Sequence, residues 1–244
     1  MGKKFEPIAC PICQNQKMTH LFTMEEEKFQ KCVHCSFIMI NPQPIVEVID
    51  ETYDENYAQR YIRKAKSKYK RAKRRLKYLK KRNKSAKRFV DIGSSAGFVV
   101  QAANDLKLDA YGVEIEKTGP KYAKEVLGLK NIYNMKLHDC KFEDNFFDIV
   151  TFYEVLEHIP NLDNFLQEVH RISTDNAILQ LSVPNAGHWS IQKDMQLWDA
   201  IKPSEHLWYF DRTTIQRVLE NNNFKVLKIE TKLFNTNMKV TFTK

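Results

Sequence analysis

The chain has 244 residues, 43% of them hydrophobic and 11% aromatic, enough to bury a full core and too apolar for a disordered protein. Its net charge is +9, yet residues 60 to 88 carry 17 of the 39 Lys and Arg with no acid among them, which leaves 22 basic against 30 acidic residues elsewhere. No stretch approaches the length of an apolar membrane span and the N-terminus has no signal-like apolar run, so a cytoplasmic location is the expectation.

Taken in chain order, the first feature is Cys10-Pro-Ile-Cys13, followed after 18 residues by Cys32-Val-His-Cys35. Two residues between thiolates let one tight turn present both sulfurs to a tetrahedral ion, and two such turns complete its shell. Four thiolates leave no open position, so the expected zinc is structural and lowers the net charge by two. A disulfide framework would suit a secreted chain, which this is not expected to be. His34 sits inside the second pair but is not needed as a ligand. Cys140 stands alone and reads as a small buried side chain.

The expected organisation is a zinc ribbon at 1–45 closed by a turn at NPQP, a basic amphipathic helical segment at 46–88, and an α/β domain at 89–244. In the middle segment Tyr57, Tyr61, Ala65, Tyr69, Ala72, Leu76 and Leu79 recur at three- and four-residue steps, one apolar stripe on a basic helix. Strands and helices then alternate. KRFVDI, DAYGVEI, NIYN, FDIVTF, AILQLSV, FKVLKIE and MKVTFT read as strands; GFVVQAANDLK, TGPKYAKEVLG, NLDNFLQEVHRIS and TTIQRVLENNN read as helices. Thr118 is the expected N-cap of the second helix, with Pro120 in its first turn and Gly128 at its stop. This alternation predicts a doubly wound, mostly parallel seven-stranded sheet, ending in an antiparallel hairpin turned at NTN, 235 to 237.

The first strand of that sheet ends at Asp91 and runs into Gly93, Ser95 and Gly97. Bare backbone between a strand and a helix suits a ligand that touches main chain. The dinucleotide pattern G-x-G-x-x-G is absent, which counts against NAD. Glu114 follows Asp91 by 23 residues, where an acid accepts hydrogen bonds from ribose hydroxyls. The ligand therefore reads as a nucleoside without a pyrophosphate.

In this order DIGSSAG, YGVEIE, FEDNFFDIVTFYEVLEHIPN and SVPN resemble the class I S-adenosylmethionine-dependent methyltransferases. The front of the chain, CPIC, CVHC, NPQP and YDENY, resembles a bacterial subgroup with an N-terminal zinc ribbon fused to that domain. The family's loop usually reads D-x-G-x-G-x-G, and here Ser95 replaces the middle glycine. The resemblance implies that Gly93, Ser95 and Gly97 wall the methionyl-ribose part of S-adenosylmethionine. It further implies that Asp91 orients the amino group, Glu114 holds the ribose diol, and Ile115 packs on the adenine. Leu137 would meet the adenine through backbone, and Tyr153, directly after the fourth strand, is counted among the cofactor-binding residues. Tyr53, Tyr57 and Tyr61 look like tyrosines that cap the cofactor, although the core face of a helix explains them equally well.

Glu154, Glu157 and His158 stand at i, i+3 and i+4, one face of a helical turn. His158 is the first expected catalytic base and His206 the second. In a lipid-quinone branch of the family the E-x-x-E-H face binds a divalent metal; that use is not the expected one here. The segment 185–209 holds Trp189, Trp198, Trp208, His188 and His206, and its family position makes it a substrate lid with an aromatic wall. The leading expectation is O-methylation of a small molecule: a sugar, nucleotide-sugar or glycan precursor. The alternatives are an RNA methyltransferase that grips phosphates with the basic segment, or a non-catalytic docking protein.

Overall fold

The computed structural model describes residues 5–44, 62–191 and 194–244. The N-terminal part holds five short strands: β1 (Phe5–Glu6), β2 (Met18–Met24), β3 (Glu27–Cys32), β4 (Ile38–Ile40) and β5 (Gln43–Pro44). NPQP was expected to be a turn throughout; it bends at Asn41-Pro42, and Gln43–Pro44 then pair antiparallel with Phe5–Glu6. The first described helix, α1 (Ala65–Arg82), buries Ala72, Leu76 and Leu79 of the predicted stripe and leaves Ala65 and Tyr69 half-buried. The three tyrosines proposed as a cofactor cap, Tyr53, Tyr57 and Tyr61, lie outside the described residues.

Beyond α1 come β6 (Arg88–Ile92), α2 (Phe98–Asp105), β7 (Asp109–Val113), α3 (Thr118–Glu125), β8 (Ile132–Tyr133), β9 (Phe147–Tyr153), α4 (Leu162–Ile172) and β10 (Ser173–Pro184). A short strand β11 (Trp208–Tyr209), helix α5 (Arg212–Asn221) and strands β12 (Lys225–Lys232) and β13 (Asn235–Thr243) complete the chain. Seven strands form one sheet in the order β12-β13-β10-β9-β6-β7-β8, with β6 parallel to both β7 and β9. Strands covered on both faces carry apolar residues without alternation, and β9, FDIVTFY, buries Phe147, Ile149, Val150 and Phe152. The final hairpin turns at Leu233-Phe234 rather than at NTN, because Asn235 already belongs to β13. A two-residue connection joins antiparallel strands only.

Two compact units are present. One gathers the described residues of Met1–Thr52, Glu154–Asn164 and Ser182–Val240, and the other those of Tyr53–Tyr153, Phe165–Leu181 and Thr241–Lys244. The second unit is cored by Leu76, Leu79, Phe89, Val100, Ala123 and Ile149, where α1, α2 and α3 meet β6 and β9. In the first unit, β11-β4-β3-β2 make a four-stranded sheet whose core joins Phe22, Phe29 and Ile40 to Ile191, Trp198 and Tyr209. Phe29 stacks on Phe22 with ring centroids 4.4 Å apart. No described helix is long and apolar enough to cross a membrane.

Candidate active site

Asp91 and the loop behind it occupy the point where a sheet of this order switches direction, β6 having β7 on one side and β9 on the other. The amides of Gly93 and Ser94 both donate to the carbonyl of Val113, at 2.8 and 3.0 Å, which pins the loop to the end of β7. Gly93 and Gly97 have φ of 74° and 79°, in the left-handed region that glycine enters without a Cβ penalty. Ser95, where the family pattern carries glycine, sits at φ 45°. The backbone therefore keeps the glycine conformation and bears its strain, about 1 kcal/mol for a residue with a Cβ.

Gly119 went unnoticed in the sequence. A Cβ there would lie 2.7 Å from the carbonyl carbon of Ser95 and 2.8 Å from its oxygen, so the start of α3 presses on the loop's main chain. Thr118, expected to cap α3, makes no capping bond. Glu116 does that work: its carboxylate accepts from the amides of Thr118 and Gly119 at 2.6 and 2.8 Å, a negative group at a helix N-terminus.

Two carboxylates face this loop region from the ends of β6 and β7. Asp91 is 3% exposed and accepts the Thr151 hydroxyl at 2.6 Å. Burial pushes its carboxyl up to about 8, with the Thr151 bond opposing, the Glu114 charge adding and the Arg75 charge opposing. Glu114 accepts from the amides of Ser95, Ile115 and Glu116 at 2.9, 2.8 and 3.1 Å. Burial raises its carboxyl above the ordinary range, against those three amides. Asn134, a second residue the sequence did not announce, donates to the carbonyls of Glu114, Ile115 and Glu116 and so fixes the strap that follows β7. The Ile115 side chain is 40% exposed, an open apolar surface beside Glu114, whereas Leu137 is buried at the start of a 3-10 turn.

Tyr153 ends β9, donates to Gln180 at 2.9 Å, and lies beneath the guanidinium of Arg75, 4.4 Å from the ring centroid. Arg75 comes from the basic segment, where a run of 17 like charges hid the one aimed at Tyr153 and Asp91. Other members of the run are also spent internally. Lys73 pairs with Asp105 at 3.4 Å, Lys80 donates to the carbonyl of Leu106, and Arg82 and Arg88 stack on Tyr78 and Phe146.

His158 and His206 belong to the first unit and come together there, their rings 4.7 Å apart at 80°. Each donates its Nδ1 proton to a backbone carbonyl, His158 to Glu205 at 2.8 Å and His206 to Ala200 at 2.9 Å. Burial holds both rings neutral, with His158 down to about 4 and His206, also opposed by His158, to about 3. The predicted shared face of Glu154, Glu157 and His158 is not kept. Glu154 has φ 57° and accepts from Ser182 and Asn237, while the 3-10 turn Leu156–His158 takes Glu157 into the interior. The aromatic wall predicted for 185–209 is mostly core. Trp198 and Trp208 are 7% and 2% exposed, Trp208 donating to the carbonyl of Ile159, and only Trp189 stands in solvent at 61%.

The four ribbon cysteines converge, with ligand sulfurs within 4.8 Å of one another. Cys10 and Cys35 are 3.4 Å apart and Cys13 and Cys32 3.5 Å apart, close to the separation of about 3.8 Å set by a tetrahedron of zinc–sulfur bonds. The two turns are congruent. Cys10 and Cys32 each donate to the carbonyl five residues on, and the amides of Gln14 and Ser36 each return to the carbonyl of Cys10 and Cys32. Gln14 and Ser36 both take positive φ, 59° and 63°. The donor set thus fits a tetrahedral ion.

Residues 59–229 match the family described as the methyltransferase domain. No curated protein matches the chain. Among solved structures, a SAM-dependent methyltransferase from Aquifex aeolicus is similar at 17% identity and TM-score 0.59, over 78% of this chain and 98% of that one. One from Archaeoglobus fulgidus is similar at 16% identity and TM-score 0.56, over 72% and 94%. A protein from Thermotoga maritima described as a possible histamine N-methyltransferase is similar at 15% identity and TM-score 0.59, over 81% and 99%. With this fold, and with two-thirds of its length matched, the chain belongs to the methyltransferase-domain family and is a class I, S-adenosylmethionine-dependent methyltransferase.

Proposed function

We propose that the chain methylates oxygen on a small-molecule acceptor of the sugar, nucleotide-sugar or glycan-precursor class. The observation that carries the donor side is the pair Asp91 and Glu114, buried acids flanking a loop of left-handed backbone. S-adenosylmethionine supplies an already activated methyl carbon and a sulfonium that leaves as a neutral thioether. In this reading Glu114, held in place by three amides, accepts the ribose diol. Gly93, Ser95 and Gly97 present bare backbone to the methionyl-ribose portion, Asp91 receives the ammonium, and Arg75 over Tyr153 receives the carboxylate. Ile115 covers the adenine and the backbone at Leu137 meets its edge. The acceptor oxygen attacks the methyl carbon and its proton leaves, for which the Nε2 lone pair of His158 or of His206 is the candidate base. The internal use of Lys73, Arg75, Lys80, Arg82 and Arg88 supports a small acceptor over RNA, since those charges serve the domain itself. The four cysteines are proposed to hold one structural zinc.

Calorimetry of cofactor binding tests the pocket. Glu114→Ala loses charge-assisted hydrogen bonds and is expected to weaken S-adenosylmethionine by about 1.5–3 kcal/mol, roughly 10- to 150-fold. Unchanged affinity removes Glu114 from the site. The raised Asp91 carboxyl gives a second, pH-based check. It is protonated in the free protein below about 8 and ionised against a bound ammonium. Binding near neutrality should therefore release a proton, and affinity should rise with pH towards about 8 and fall beyond it as the cofactor's own ammonium loses its proton. Heats measured in buffers of different ionisation enthalpy report that proton directly. A binding heat indifferent to the buffer would contradict the assignment. For the acceptor, mass spectrometry of small-molecule extracts incubated with enzyme and cofactor should find a species gaining one methyl group, while methylated RNA would overturn the small-molecule reading.

A further inference from the structure

Glu157 is fully buried, and among the described residues neither carboxylate oxygen has a hydrogen-bond partner. An orphaned buried carboxylate is costly and calls for a counterpart. A proton alone is a poor one, because the resulting hydroxyl would still lack an acceptor. Its neighbours supply another answer. Ligand atoms of Glu157, His158 and His206 all lie within 4.8 Å of one another. The tie is local: the amide of Leu207 donates to the carbonyl of Glu157 at 2.8 Å, which brings His206 beside the turn that carries Glu157 and His158. Both rings have their Nδ1 protons committed to backbone carbonyls, the arrangement that orients a metal-ligating imidazole.

We propose that Glu157, His158 and His206 bind one divalent first-row transition ion, at a site separate from the four cysteines. Two imidazole nitrogens and one carboxylate suit Zn²⁺, Co²⁺ or Fe²⁺ better than Mg²⁺ or Ca²⁺. Three protein ligands leave positions open for an outside oxygen ligand, as in catalytic rather than structural sites. The triad differs from the E-x-x-E-H face legible in the sequence: Glu154 is occupied by Ser182 and Asn237, and His206 takes the third place. The site stands on the geometry of its own unit. A role for the ion in lowering the pKa of an acceptor hydroxyl rests on the proposed methyl transfer. In that case His158 and His206 act as ligands and not as bases.

The test uses the full chain with its ribbon zinc in place, dialysed against Co²⁺ and analysed for both metals. One cobalt per chain beside retained zinc is expected, and Glu157→Gln, His158→Gln and His206→Gln should each keep the zinc and lose the cobalt. Wild-type protein with labelled histidine rings gives a readout free of folding effects. Of the seven histidines, Co²⁺ should shift the signals of His158 and His206 most, and both should remain protonated at Nδ1. Cobalt that only replaces zinc, cobalt retained by all three variants, or shifts centred on other histidines would overturn the proposal. Cobalt bound at the triad in a chain that methylates no small molecule would leave the site standing and remove the acceptor reading instead.

Discussion

Stripping the zinc proposed for the four ribbon cysteines, by chelation or by Cys10→Ser or Cys32→Ser, is expected to unfold residues 5–44 and to release the segment around 200–209 with them. Structural zinc on thiolates contributes about 10–16 kcal/mol of apparent binding energy at neutral pH, as large as the whole stability of a typical domain. The ribbon has little to replace it, since β4 is three residues long and the sheet continues only through the two residues of β11. That same sheet explains the reach of the effect. Trp208 and Tyr209 pair with Met39 and Ile38, and the buried carboxylate of Glu27 accepts the amide of Ser204 at 2.6 Å and the Ser204 hydroxyl. Hydrogen exchange should show the first unit losing protection while the core of Phe89, Val100 and Ile149 keeps it. Metal-replete protein that contains no zinc, or that keeps full ribbon protection in chelator, would refute this.

Alanine at three glycines should have effects graded by what each Cβ meets. At Gly128, with φ 65° and nothing within 4 Å, only backbone strain enters, about 1 kcal/mol. At Gly97, φ 79° combines with contacts of 2.7 Å to Leu129 and 2.8 Å to Ala123, so strain and overpacking add to about 2–5 kcal/mol. Gly119→Ala differs in kind. Its contacts are main-chain atoms of Ser95 and Ala96, and the loop cannot retreat because Gly93 and Ser94 are tied to Val113. Overpacking there should cost about 1–3 kcal/mol and should weaken cofactor binding by at least about tenfold, since the displaced backbone is the wall proposed for the ligand. Denaturant unfolding paired with calorimetry separates the three. A Gly119→Ala protein that binds the cofactor normally would show that the Ser95 backbone takes no part.

The residues by themselves determined a good deal of this. The seven strands and the helices between them were legible because each is written in a window of about ten residues, as an apolar run or a helical stripe. Cys10, Cys13, Cys32 and Cys35 were legible as one cluster because a two-residue spacing within each pair has few other uses. Asp91, the glycine loop and Glu114 were legible because a parallel sheet puts consecutive strand ends side by side. What only the tertiary structure decided involves partners far apart along the chain. Arg75 could not be told from its sixteen basic neighbours until α1 packed and one guanidinium came over Tyr153. Trp198 and Trp208 looked like a binding wall until the ribbon strands turned out to need them as core. Nothing marked Gly119 until the place a Cβ would take there fell on the Ser95 backbone. Glu157 met His206 only because Leu207 bonds back to the turn. Local preference names an element and its faces, but which faces meet depends on where a distant segment returns, and that is settled by burial and hydrogen bonding across the whole unit.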